Sequence, residues 1–149
     1  MGMVSETIWI ERPPDAVYDF AWRPKRAPEW IVGMIRAENV SMGDPGSGLA
    51  TCFDWTYRML GMRFQGRNCI VGAEPPHQLR EESSGDLNSV WEWRFEPRKG
   101  GTHVELSVTY TPPLGALGRL LDGFMLEFFN RRALHGTLHN LKRMLEAAP

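Results

Sequence analysis

The sequence predicts an α+β fold: seven antiparallel strands wrapped around one long C-terminal helix, with two short helices between the first and second strands. Three observations carry this reading. Apolar residues alternate with polar ones through most of the chain, the mark of half-buried strands. Tight Gly- and Asp-rich turns join successive strands, which makes an antiparallel meander. From Leu114 to Ala147 the period changes: Leu117, Leu121, Phe124, Phe128, Leu134, Leu138, Leu141 and Leu145 recur mostly at three- and four-residue steps, giving one apolar stripe on a long helix.

The elements follow in order. Glu6–Glu11 alternates, with Ile8 and Ile10 on one face, and opens the sheet. Pro13-Pro14-Asp15 ends that strand and starts a helix, because Pro is tolerated in a first turn and Asp suits its positive end. Ala16, Val17, Phe20 and Ala21 form that helix's apolar side, and Pro24 and Pro28 bracket a second short helix around Arg26–Trp30. Ile35–Ser41 reads as a strand, and the run from Gly43 to Gly48 as a turn. Leu49, Thr51, Phe53, Trp55 and Tyr57 then alternate with Ala50, Cys52, Asp54 and Thr56. After Leu60-Gly61, Met62–Val71 is another strand, closed by Glu74-Pro75-Pro76, and His77–Ser83 is a short polar one. Trp91, Trp93 and Phe95 share one face of Val90–Glu96, and Val104, Leu106, Val108 and Tyr110 share one face of the last strand.

At 149 residues the chain is expected to be one domain, 1–149, long enough to bury roughly two-thirds of its unfolded surface. Its formal net charge of -1 argues against nucleic-acid binding and against a polybasic membrane-surface protein. No apolar run approaches the ~20 residues that cross a bilayer, and the first residues lack signal-peptide and myristoylation patterns. A cytoplasmic protein without membrane insertion is the expectation. Cys52 and Cys69 form no C-x-x-C pair and read as reduced, buried thiols. Asn39-Val40-Ser41 matches the glycosylation sequon, which carries no weight without a secretory signal.

The order of elements, with particular residues at its joints, resembles the START-like (SRPBCC) superfamily of polyketide cyclase/dehydrase-like and lipid-transport-like proteins, whose architecture is the helix-grip fold. The stretch Ile8-Trp-Ile-Glu-Arg-Pro-Pro-Asp-Ala-Val-Tyr-Asp-Phe20 resembles the opening strand and first helix, and Pro28-Glu29-Trp30 the end of the second helix. Trp91-Glu-Trp-Arg-Phe-Glu-Pro97, Gly100-Gly-Thr102 and Pro112-Pro-Leu-Gly115 resemble the last hairpin and the lead-in to the long helix. The chain departs from many relatives at Trp22-Arg23-Pro24, where they carry an acidic residue. The resemblance implies a START-like, helix-grip α+β fold, with a cavity between sheet and helix for an apolar molecule such as a lipid or polyketide. It does not fix whether a reaction occurs there.

Candidate ligand-binding residues are Trp30, Phe53, Trp55, Tyr57, Phe64, Trp91, Trp93, Phe95, Tyr110, Phe124, Phe128 and Arg131. Aromatic rings with a few polar groups are the usual lining of small-molecule sites, and the same rings can equally fill a core. The inner face of Met62–Val71 is open from periodicity alone: either Phe64, Asn68 and Ile70 point inward, or Arg63, Gln65 and Arg67 do, with solvated arginines the better reading. His135 and His139 share a helix face, but no Glu follows His135 as in zinc-binding helices, so no metal or other cofactor is expected.

Three functions remain from the sequence. The first is binding or transport of a small hydrophobic ligand. The second is a cyclase or dehydratase using Tyr57, Tyr110 or Arg131 as acid–base groups, with Asp54, Glu92 and His103 on the outer face. The third is a partner-binding module whose sign would be an exposed Trp9 or Trp22. A monomer or homodimer suits all three. Gly115, Gly118 and Gly123 would make the first turns of the long helix pliable.

Overall fold

The structure, a computed structural model, describes residues 2–59, 61–111 and 131–147. Seven strands form one antiparallel sheet: β1 (Gly2–Ile10), β2 (Met34–Ser41), β3 (Cys52–Met59), β4 (Met62–Glu74), β5 (Gln78–Gly85), β6 (Asn88–Arg98) and β7 (Gly101–Thr111). Their spatial order is β1-β7-β6-β5-β4-β3-β2. Five hairpins run in sequence from β2 to β7, and β1 then pairs with β7, from Gly2↔Tyr110 to Ile10↔Thr102. The seven-stranded α+β arrangement expected from the alternation is present.

Helix α1 (Pro14–Trp22) starts as the prolines dictate: Pro14 sits in its first turn, with Asp15 beside the positive end. It buries Val17, Tyr18, Ala21 and Trp22. The second expected helix is a single 3-10 turn, Ala27–Glu29. Pro28 explains its brevity, since Pro removes a backbone donor and disfavours the helical conformation in the residue before it.

Helix α2 (Arg131–Ala147) is the described part of the expected long helix. It turns Leu134, Thr137, Leu138, Leu141 and Leu145 into the core. Arg12 Nη1 donates to Leu145 O at 2.9 Å, and Glu146 Oε2 accepts from the Glu11 backbone at 2.9 Å. Asn140 Nδ2 donates to Trp30 O at 3.2 Å. The C-terminal end of the helix is thereby tied to both the first strand and the 3-10 turn. Leu114 to Asn130, with the expected stripe residues Leu117, Leu121, Phe124 and Phe128 and the three glycines, lies outside the described residues. Among the described residues no helix is long and apolar enough to cross a membrane.

One expectation is overturned. Cys52 and Cys69 are neither free nor buried; they form a disulfide between directly opposed positions of β3 and β4, at a Cα–Cα distance of 4.1 Å. Both side chains lie on the outer face, because Phe53, Trp55 and Tyr57 claim the inner one. With a sequence separation of 17, loop-closure entropy sets the expected stabilisation at about 2–3 kcal/mol. Reduction should lower the denaturation midpoint accordingly, and Cys52→Ser should make the protein indifferent to reductant.

Candidate functional site

Strand parity decides which side chains meet inside. On β3, Phe53, Trp55 and Tyr57 are buried; on β6, Trp91, Trp93 and Phe95; on β7, Val104, Leu106, Val108 and Tyr110. The ambiguity on β4 is resolved: Phe64, Asn68 and Ile70 are buried, while Arg63, Gln65 and Arg67 face out. Arg67 instead forms an outer-face ion pair with Asp54 at 2.7 Å. Arg131 is exposed, not interior. It follows the spacing of the helix stripe, but a long cationic side chain keeps its head in water.

The expected rings divide into two groups. Trp30, Trp93 and Phe95 pack on one another. Trp93 stacks on Phe95 at 5.8 Å and meets Trp30 edge-on at 5.9 Å, and Tyr18 closes on Phe95 at 5.5 Å. These rings fill the space beneath α1. Phe53, Trp55, Tyr57 and Trp91 stand elsewhere, around a cavity of about 20 Å³ that Ile31, Met34, Asn68, Glu81 and Ser83 complete. Phe64 and Tyr110 are buried beyond this wall, and Phe124 and Phe128 fall outside the described residues. Gly66 gives Trp55 its place: a Cβ there would collide with the Trp55 ring and with the Ser84 carbonyl on the neighbouring strand.

Glu81 was not among the sequence candidates, and it is the chemically unusual group of this wall. It sits mid-strand on β5, with Leu79 and Ser83 on the same face, and is 8 % exposed. Trp93 Nε1 donates to its Oε2 at 3.0 Å, and Asn68 Nδ2 to its Oε1 at 3.1 Å. Ser83 Oγ donates to Asn68 Oδ1 at 2.7 Å, which turns the Asn68 amide donor toward Glu81. Burial pushes the Glu81 carboxyl up to about 7, and the two donors only partly oppose this. Burial, with the Glu81 charge nearby, also raises the Tyr57 hydroxyl well above its ordinary range.

The raised carboxyl implies a pH effect of definite sign. The folded state holds its proton more tightly than the unfolded chain, so its contribution is fully present below pH 4.5 and is lost as pH rises to about 7. Its size is roughly 3 kcal/mol. The stability of Glu81→Gln minus that of the parent should therefore increase between pH 4.5 and pH 7 and level off above it; a flat difference would refute the assignment.

Among the described residues no three His, Cys, Asp or Glu side chains gather as a metal site. The His135 and His139 rings lie 4.3 Å apart, tilted by 51°, and both are exposed. Trp22 is 1 % exposed; Trp9 is 36 % exposed, with its indole donating to Arg98 O at 2.8 Å and Lys142 over its ring.

Solved structures share this fold. TTHA0849 from Thermus thermophilus superposes with a TM-score of 0.81 at 21% identity, covering 98% of this chain and 98% of that one. Ara h 8.0201 matches with a TM-score of 0.65 at 14% identity over 99% of each chain. The di-domain ARO/CYC StfQ from the steffimycin biosynthetic pathway matches with a TM-score of 0.75 at 19% identity; 97% of this chain covers 50% of it, so the chain corresponds in length to half of that protein. Among curated protein sequences no match is found. The sequence profile of the family described as polyketide cyclase / dehydrase and lipid transport matches residues 1–146, nearly the whole chain, and the chain belongs to that family.

Proposed function

We propose that this chain binds or carries a small, largely apolar molecule between the inner face of the sheet and the C-terminal helix. The observation that carries the reading is the placement of a hydrogen-bonded polar group, Asn68–Glu81–Ser83, at the edge of a cavity otherwise walled by Phe53, Trp55, Tyr57 and Trp91. Core polar groups are costly, whereas ligand sites combine apolar walls with a few convergent polar atoms. A volume of about 20 Å³ takes a single small group. Binding a larger molecule therefore moves side chains of this wall, and the fluorescence of Trp55 and Trp91 should report it.

Native mass spectrometry of protein purified from its own source, with extraction of whatever is bound, tests this. A stoichiometric apolar compound is expected. An empty protein that also takes up no fluorescent apolar probe would end this reading in favour of partner binding.

A second reading, a cyclase- or dehydratase-like enzyme, draws support from Glu81. A general acid–base group works best with a pKa near the operating pH, and Glu81 has one beside the cavity. Tyr57 also lines that wall, whereas Tyr110 and Arg131 do not. Turnover that survives both Tyr57→Phe and Glu81→Gln would remove these residues from any mechanism.

A further inference from the structure

We propose that Glu81 determines which ligand is accepted: its carboxyl donates a hydrogen bond to a carbonyl oxygen of a neutral aromatic ligand and turns away ligands that carry a carboxylate. The inference rests on the ligand-binding reading above and specifies its chemistry.

The hydrogen bonds around Glu81 leave it a defined remaining capacity. Each carboxyl oxygen already accepts one N–H, from Asn68 and from Trp93. Both donors are held, Asn68 by the Ser83 hydroxyl and Trp93 by its stack on Phe95. The donor that a protonated carboxyl can still offer is its own O–H, and Glu81 lines the cavity.

Charge excludes the alternatives. Among the described cavity residues none is Lys, Arg or His. The basic side chains of the flanking strand segments face the other side of the sheet, Arg67 paired with Asp54 and Arg80 with Glu92. A carboxylate ligand would bury its charge with no cation to offset it, in a region where screening is weak, and would have to compete with the ionisation of Glu81 itself.

An independent observation distinguishes a carbonyl from an amine. Trp55, on the same wall, is 2 % exposed and its Nε1 has no hydrogen-bond acceptor. An ammonium group brings only donors and would leave this indole unmet. A carbonyl oxygen has two lone pairs, enough to accept from a carboxyl O–H and an indole N–H, and it fits the size of the cavity. The rings of Phe53, Trp55 and Trp91 offer faces to the aromatic remainder.

Ionisation of Glu81 is then the event that switches recognition. From β4 and β6 the groups that face it are Asn68 and Trp93, which do not titrate. The titratable groups that feel its charge are Tyr57 of β3 and Tyr18 of α1; burial raises both, Tyr18 to about 12, so both stay protonated through the range tested.

The test titrates the protein with four probes that share one ring system: 2-acetylnaphthalene, naphthalene, 2-naphthoate and 2-naphthylmethylammonium. Affinities are read from the tryptophan indole N–H resonances, near pH 6 and near pH 9. For the parent near pH 6, the ketone should bind about tenfold tighter than naphthalene, with naphthoate weakest. Near pH 9 the ketone's advantage should shrink about tenfold. Glu81→Gln retains an N–H donor, so its preference for the ketone should persist and lose its pH dependence. Equal affinity for ketone and naphthalene at both pH values would overturn the role of Glu81 while leaving the cavity reading intact. Naphthoate or the ammonium binding more tightly than the ketone would also overturn it. Failure of all four probes would overturn the cavity reading and this inference together. The parent's own pH dependence decides the matter even if the Gln variant does not fold.

Discussion

Trp93→Ala should lower stability by about 3–5 kcal/mol, the range for truncating a fully buried large aromatic. Trp93 is 1 % exposed, stacks on Phe95 and meets Trp30 edge-on, so its loss opens a cavity bounded by two other rings. It also removes the donor to Glu81 Oε2, leaving a buried acceptor unmet. Trp93→Phe separates the two causes. It retains most of the ring contact and loses the indole N–H, so its cost should be about 1–3 kcal/mol. That cost should be larger at pH 8 than at pH 5, because the ionised carboxylate depends most on the missing donor. Chemical denaturation of both variants at the two pH values reads all four numbers. Equal losses for Ala and Phe would mean that packing on Phe95 and Trp30 counts for little.

The second large effect is expected from Gly66→Val. Overpacking a well-filled site typically costs about 1–3 kcal/mol. Here the obstruction includes backbone, and a loss on the order of 4 kcal/mol is expected. A Cβ at this position meets the Trp55 ring on one side and the Ser84 carbonyl on the other, and Gly85 stands directly opposite across the β4–β5 ladder. The carbonyl cannot step aside without parting the strands, so the Trp55 ring must give way. Since that ring is part of the cavity wall, the substitution should also displace the Trp55 indole resonance. A variant as stable as the parent, with that resonance unmoved, would contradict the close approach.

How much of this was legible beforehand depends on the strand. On β3, β6 and β7 the apolar side chains alternate without interruption, and their buried faces are the ones the period of two indicates. On β4 the inner face reads Phe64, Gly66, Asn68, Ile70, so a glycine and an amide interrupt the apolar signal. Only the structure shows that these two make room for Trp55 and hold Glu81. Glu81 itself stands in Arg80-Glu81-Glu82, a run that reads as a solvated face. A signal was present: Leu79, Glu81 and Ser83 share a parity, and Leu79 marks the buried side. The disulfide was legible in a similar way. Cys52 and Cys69 are equally distant from the closing pair of the β3–β4 hairpin, Met59↔Met62, which sets them opposite one another. Redox compartment had outweighed register in the expectation of free thiols. The exposure of Arg131 was not legible, because a residue's position on a helix carries no account of what a guanidinium requires to be buried.

The pairing of β1 with β7 has a consequence for how the chain reaches this state. Every other adjacent pair is a hairpin whose partners are near in sequence, whereas Gly2 must find Tyr110 and Ile10 must find Thr102. Such distant closures carry the largest loop entropy and make folding slow relative to local pairings. On the ribosome, β1 is made before the rest of the sheet and has no edge to join until β7 has emerged. The β2–β7 meander can assemble without it, and α2 gains its packing against β1 only when that strand is in place. Until that closure, the unpaired β1 and, once made, the open β7 edge are the places where another nascent chain could pair by mistake.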